Sequence, residues 1–141
     1  MTAGSRLRHR HTVNVARADI DELGHVNNAV YLRYVEDVAR AHSASVGLTL
    51  ACYRELEALP VVRRHLITYR APARFGDQLE VSTVITSLGG IRATRHNEVR
   101  CVRRDTLLVE VDTEWVWLDP QTFRPRRIPR KVLDAFRWPD K

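Results

Sequence analysis

One helical stripe stands alone in a chain whose other apolar patterns repeat every two residues, and that imbalance limits the folds open to it. From Ala29 onward, Val30, Tyr34, Val38, Ala41 and Ser45 recur at helical spacing, with Tyr31, Val35 and His42 beside them. Glu36 precedes Arg40 by four residues, the order that supports a helix, and Gly47 supplies a stop. Asn28, just ahead of the stripe, is the expected N-cap, its side chain accepting a bond from an orphan amide of the first turn. Before the helix, residues 11–18 alternate, with Val13 and Val15 on one side, and predict a half-buried strand. After it comes a short amphipathic piece over 51–59, ended by Pro60. Strands are then expected over 61–70, 78–88, 91–103 and 106–118. Gly89-Gly90 and Arg104-Asp105 mark hairpin turns, Trp115 and Trp117 share a face of the last strand, and a short helix is expected over 130–136. Linked by short turns, the four later strands should run antiparallel. A single helix of about five turns covers one face of such a sheet, which makes the class α+β. Long edge strands rich in β-branched residues call for pairing with a second copy, so a dimer is expected.

At 141 residues the chain fits one domain, expected over 11–137, with a basic tail over 1–10 and a short tail over 138–141. No apolar run approaches the ~20 residues of a membrane helix, and MTAGSRLRHR leads into no signal-peptide core. Cys52 and Cys101 have neither zinc nor disulfide-framework spacing. Two reduced thiols and a cytoplasmic location are expected, with no metal and no cofactor. The net charge of +6 is carried almost wholly by arginine, since only Lys131 and Lys141 are lysines. Arginine excess suits phosphate- or carboxylate-bearing partners. Arg124, Arg126, Arg127, Arg130 and Lys131 cluster, but without the interleaved aromatics of a single-strand platform, so no nucleic-acid partner is expected.

The chemistry sits in Asp19-Ile20-Asp21-Glu22-Leu23-Gly24-His25-Val26-Asn27-Asn28, just ahead of the helix. Helix N-termini carry roughly half a positive elementary charge and favour developing negative charge. A carbonyl held against those amides would be polarised, and its tetrahedral oxyanion would meet ready-made donors. A thioester suits such a site, because its thiol leaving group, with a pKa near 8.5, needs little acid assistance. No G-x-S-x-G nucleophile turn occurs. Taken alone, these residues serve equally as an acidic cap.

The stretch DIDELGHVNNAVYLRYVEDVAR, residues 19–40, resembles the signature of hotdog-fold thioesterases. It is similar to the 4-hydroxybenzoyl-CoA group, to bacterial long-chain acyl-CoA thioesterases and to plant acyl-carrier-protein thioesterases with a His-Val-Asn-Asn run. Tyr69 to Asp77 and the late Pro129 are similar to the same families. The resemblance implies a five-stranded antiparallel sheet wrapped around one long helix. It further implies hydrolysis of an acyl-CoA or acyl-carrier-protein thioester by a homodimer or homotetramer. It places the catalytic carboxylate at Asp21 and the carbonyl-polarising amide at Asn28 or Ala29. His25 matches the histidine of the His-Val-Asn-Asn version, which the hydroxybenzoyl-CoA enzymes lack, and is a candidate for a catalytic or substrate-orienting role. The asparagine that plant enzymes use two residues after the aspartate is here Leu23. Tyr31 and Tyr34 are candidates for the acyl pocket. Asp19 is expected at a strand end or turn, and Glu36 paired with Arg40. An enoyl-thioester hydratase or dehydratase of the same fold, and a noncatalytic acyl-CoA-binding module, are the alternatives. Thiol release separates a thioesterase from both.

Overall fold

The computed structural model describes residues 6–139. Five strands, β1 (Arg8–Asn14), β2 (Leu59–Tyr69), β3 (Gln78–Gly89), β4 (Arg92–Cys101) and β5 (Thr106–Leu118), form one sheet in the order β1-β3-β4-β5-β2. Every neighbouring pair is antiparallel. The helices are α1 (Val30–Ser45), α2 (Leu50–Glu55) and α3 (Arg130–Phe136). The fold is the expected α+β hotdog, a sheet wrapped around α1.

Alternation builds the inner face of the sheet. Ala93, Arg95, Asn97, Val99 and Cys101 of β4 are buried, while the residues between them are not. Leu79, Val81, Val99, Val109 and Val111 close over Tyr31, Tyr34, Val35 and Val38 of α1. Each such side chain contributes about 1.5–3 kcal/mol when fully buried. The buried face of α1 is Tyr31, Tyr34, Val35, Val38, Ala39 and His42. It lies one residue round from the expected stripe, because the two large tyrosines take the inside and leave Val30 and Ala41 at its border. A second cluster, around Trp115, Trp117, Tyr53 and Phe136, fills the end of the sheet under α2 and α3.

Two expectations are corrected. First, β1 spans Arg8–Asn14 rather than 11–18, so Arg8, Arg10 and the histidine between them belong to the sheet and not to a tail. Its pairing with β3 runs out where β3 begins, at Asn14 opposite Gln78, and the chain then turns at Arg17–Asp19. Residues 1–5 and 140–141, expected as tails, lie outside the described residues. Second, β2 is not a hairpin partner of β3. It pairs with β5 at the far edge, Val61 opposite Val116 and Ile67 opposite Val111. The link over 70–77 crosses about three strand spacings, roughly 15 Å, well within the ~26 Å that eight residues reach. It passes the start of α1 and is tied there: the Ala73 amide donates to the Tyr31 hydroxyl at 2.9 Å, and the Val26 amide to the Ala73 carbonyl at 2.9 Å.

Candidate active site

The loop between β1 and α1 is built on Asp19. Its Oδ1 accepts from the Arg33 guanidinium at 2.8 Å, and its Oδ2 from the Tyr34 hydroxyl at 3.0 Å and the Ala16 amide at 3.4 Å. Burial to 6% exposure opposes ionisation, but the bonds from Arg33, Tyr34 and Ala16 outweigh it and hold the carboxyl below its usual range. The same contact raises the Tyr34 hydroxyl, chiefly through burial and then through its bond to Asp19. Asp19 is therefore the clamp that fixes the loop to the first turns of α1, in keeping with its expected turn role.

From that clamp the chain runs out and back on itself. Ile20 bridges Val26, the Asp21 amide donates to the His25 carbonyl at 2.9 Å, and the Asn27 amide to the Asp19 carbonyl at 2.9 Å. Gly24 turns the tip at φ +82°, a region where a side chain would be strained. Leu23 stands at that tip, 80% exposed. The half-buried Asp21 carboxylate accepts the Leu23 amide at 2.9 Å and makes no other hydrogen bond among the described residues. His25 is half-buried beside it; its side chain has no hydrogen-bond partner among the described residues.

The start of α1 differs from expectation in one instructive way. Asn27, not Asn28, caps it: Asn27 Oδ1 accepts the Ala29 amide at 2.9 Å, and the Asn27 carbonyl accepts the Val30 amide at 2.9 Å. Asn28 is exposed and turned the other way, its carbonyl accepting the Tyr69 hydroxyl from the end of β2 at 3.0 Å. The cap thus consumes the Ala29 amide and leaves the Asn28 amide without an acceptor among the described residues. Replacing Asn27 by alanine is expected to cost about 1 kcal/mol, read as a lower denaturation midpoint at unchanged slope; an unshifted midpoint would remove the cap.

The candidates therefore divide. Asp21, His25 and Asn28 belong to the one loop that leads into α1, and among the described residues no hydrogen bond joins the carboxylate to the helix amides. Tyr31 and Tyr34 are core residues with committed hydroxyls, one held by the Ala73 amide and the other by Asp19, and neither lines the apolar cavity described below. Glu36 does meet Arg40, at 3.4 Å, but sequence reasoning missed its second partner. Asn97 donates to the Thr113 hydroxyl at 3.1 Å, and that hydroxyl lies 2.8 Å from His65 Nδ1. It donates there when the ring is neutral, with its proton on Nε2 toward the Glu36 carboxylate at 3.4 Å. That chain ties α1 to the sheet and has no signature in sequence spacing.

Known proteins carry the same architecture and much of the same sequence. A profile of the thioesterase-like superfamily matches residues 15–136. The acyl-CoA thioester hydrolase YbgC of Escherichia coli O6:H1 is 33% identical over 132 residues, covering 91% of this chain and 95% of that protein. The chloroplastic acyl-acyl carrier protein thioesterase ATL2 of Arabidopsis thaliana is 26% identical over 128 residues, 91% of this chain and 68% of that protein. Among solved structures, Slr0204, a 1,4-dihydroxy-2-naphthoyl-CoA thioesterase from Synechocystis, superposes with a TM-score of 0.84 over 93% of this chain and 96% of its own. At 21% identity that likeness speaks to the fold alone. With a family profile spanning most of its length and a relative at one-third identity over nearly all of it, the chain belongs to the thioesterase-like superfamily.

Proposed function

We propose that this protein hydrolyses an acyl-CoA or acyl-carrier-protein thioester to the free acid and thiol, with Asp21 as the reacting carboxylate and the Asn28 amide as the oxyanion donor. The observation that carries the reading is the Asn28 amide itself, left without an acceptor among the described residues at a helix N-terminus, on the same loop as a half-buried carboxylate with a single hydrogen bond. The dipole of α1 and that N–H would stabilise the charge that develops on the thioester oxygen. Asp21 either attacks the carbonyl or draws the proton from an attacking water. Hydrolysis in isotopically labelled water over a single turnover separates the two, since only direct attack carries label into the protein carboxylate. Release of thiol from an acyl-CoA tests the activity; an enzyme that releases none from any acyl-CoA or acyl carrier protein would overturn it. His25 flanks the carboxylate and is proposed to orient the substrate.

The working form is proposed to be a dimer through β2. That strand is a sheet edge with an unpaired backbone, and Leu66 and Tyr69 on it are exposed. Antiparallel pairing of β2 with its own copy about the middle of the strand lays the Tyr69 end of one chain beside the Pro60 end of the other. Tyr69 holds the helix start through Asn28, so that start in each chain would then adjoin the far end of its partner's α1. Light scattering at assay concentration is expected to give twice the 16.3 kDa chain mass; the mass of one chain would remove the shared site. No helix among the described residues is long and apolar enough to cross a membrane. Cys52 and Cys101 are free thiols, in keeping with a proposed cytoplasmic location.

A further inference from the structure

At the C-terminal end of α1, roughly 15–20 Å along the helix from Asn28, lies a cavity of about 310 Å³. Leu48, Tyr53, Ile85, Trp115 and Phe136 make its walls, and no acidic side chain lines it. An apolar cavity of half that size takes a benzene ring, so this one holds about ten non-hydrogen atoms. Its mouth is marked by the exposed Arg40 and Leu50 and by Pro60 at the start of β2.

Arg95 sits in its lining, 6% exposed, on the inner face of β4. A buried guanidinium ordinarily faces a carboxylate, because an uncompensated charge in a low-dielectric interior is costly. Here it faces none among the described residues. Nη1 donates to His42 Nδ1 at 2.8 Å and to Thr83 Oγ1 at 3.2 Å. Arginine only donates, so His42 Nδ1 is an acceptor and its Nε2–H donates to the Arg6 carbonyl at 2.7 Å. Burial, and then the charge of Arg95, push His42 down to about 4, so it is neutral and gives the guanidinium no counter-charge. Burial also pushes Arg95 down to about 10, which still leaves it a cation at neutral pH. Nη1 is used up. Nε and Nη2, the side-on fork that grips a carboxylate with two parallel bonds, have no acceptor among the described residues. The indole N–H groups of Trp115 and Trp117 in the same wall also lack one. The lining is therefore mostly apolar and holds a buried cation with no carboxylate to match it; its side-chain hydroxyls are engaged elsewhere, Ser43 with Tyr53 at 3.0 Å and Thr49 with the Cys52 amide at 3.2 Å.

We propose that this cavity receives the far end of the acyl group and that Arg95 selects chains ending in a carboxylate, of about eight carbons. The assignment rests on the thioesterase reading and on the β2 pairing above, which brings one chain's Pro60 mouth beside the other chain's helix start. A thioester carbonyl held at that helix start sends its chain into the neighbouring mouth, and the terminal carboxylate meets the free fork of Arg95. Arg95 is a specificity-determining residue in this scheme; it does not touch the reacting atoms.

The test compares octanoyl-CoA with 7-carboxyheptanoyl-CoA by thiol release, in the wild-type protein and in Arg95→Met, which keeps the length and apolar bulk of the stem. The wild type is expected to favour the carboxylated substrate at least tenfold in kcat/KM, and Arg95→Met to reverse that order. Preference of the wild type for octanoyl-CoA would overturn the proposal and leave the thioesterase reading intact. Binding of octanoate and of 1-octanol, followed by tryptophan fluorescence, needs no catalysis and, in the wild type, no variant that might fail to fold. Octanoate is expected to bind at least tenfold more tightly than octanol, and equal binding would sink the Arg95 assignment. If neither thioester is hydrolysed while octanoate is still preferred, Arg95 is confirmed as a carboxylate site but the eight-carbon acyl assignment falls, and the hydrolase reading is judged by the wider panel of acyl thioesters.

Discussion

Replacing Asp21 by asparagine should lower thioester turnover by about two to four orders of magnitude, the range a positioned acid–base group supplies, with little change in stability. The side chain accepts one bond, from the Leu23 amide at 2.9 Å on an exposed loop. Asparagine keeps an oxygen for that bond and removes only the negative charge. KM should move little, because in the proposed mode of binding the helix start would hold the carbonyl and the cavity would hold the chain. A steady-state assay beside a thermal melt separates the outcomes: full activity in Asp21→Asn would take the carboxylate out of the mechanism, and a collapsed melt would assign it to structure.

The opposite signature is expected two residues upstream. Asp19→Ala should cost about 2–4 kcal/mol, since it removes three bonds to a buried carboxylate and strands the Tyr34 hydroxyl. Arg33 is more than half exposed and recovers its hydration, which keeps the loss at that level and below the cost of breaking a fully buried pair. At roughly 3–4 °C per kcal/mol for a domain of this size, the melting temperature should fall by about 10 °C. The sign with pH is fixed. The folded Asp19 carboxyl lies below its unfolded value of about 3.9, so its contribution is complete above that pH and is lost as pH falls through the folded value. The deficit of Asp19→Ala should therefore be full at pH 7 and shrink in acid below about pH 4. A denaturant titration showing less than 1 kcal/mol at pH 7 would deny Asp19 the role of clamp. Tyr34→Phe should reproduce a smaller part of the loss, about 1 kcal/mol.

What could be read from the chain beforehand follows from what periodicity reports. Spacing shows whether a segment has two faces, so α1, β5 and α3 came out within a residue of their observed ends. It does not show which segment lies alongside. The β2–β5 pairing joins residues about fifty apart, and nothing local distinguishes it from a hairpin with β3. β1 was misplaced because Arg-His-Arg-His carries no hydrophobic alternation, although its histidines do turn inward. The motif exchanged the duties of Asn27 and Asn28, since either can cap and only the fold decides which side chain meets the Ala29 amide. Arg95 carries no local signal that sets it apart from the other arginines. Its burial follows from the parity of β4, where odd positions face α1, and parity acquires that meaning only once the sheet has chosen its inner side.

The strand order also bears on how the molecule assembles. β3, β4 and β5 are joined by tight turns and can zip together locally, whereas β1 and β2 must each close a long loop to reach their places. The Asn28–Tyr69 contact spans the last of these closures, tying the first half of the chain to the final edge. Under the proposed mode of binding, the substrate would sit on a seam that closes across 41 residues, fewer than the 64 or more closed by the β1–β3 pairing, and a ligand that grips both shoulders of that seam would act as a clasp on the whole domain.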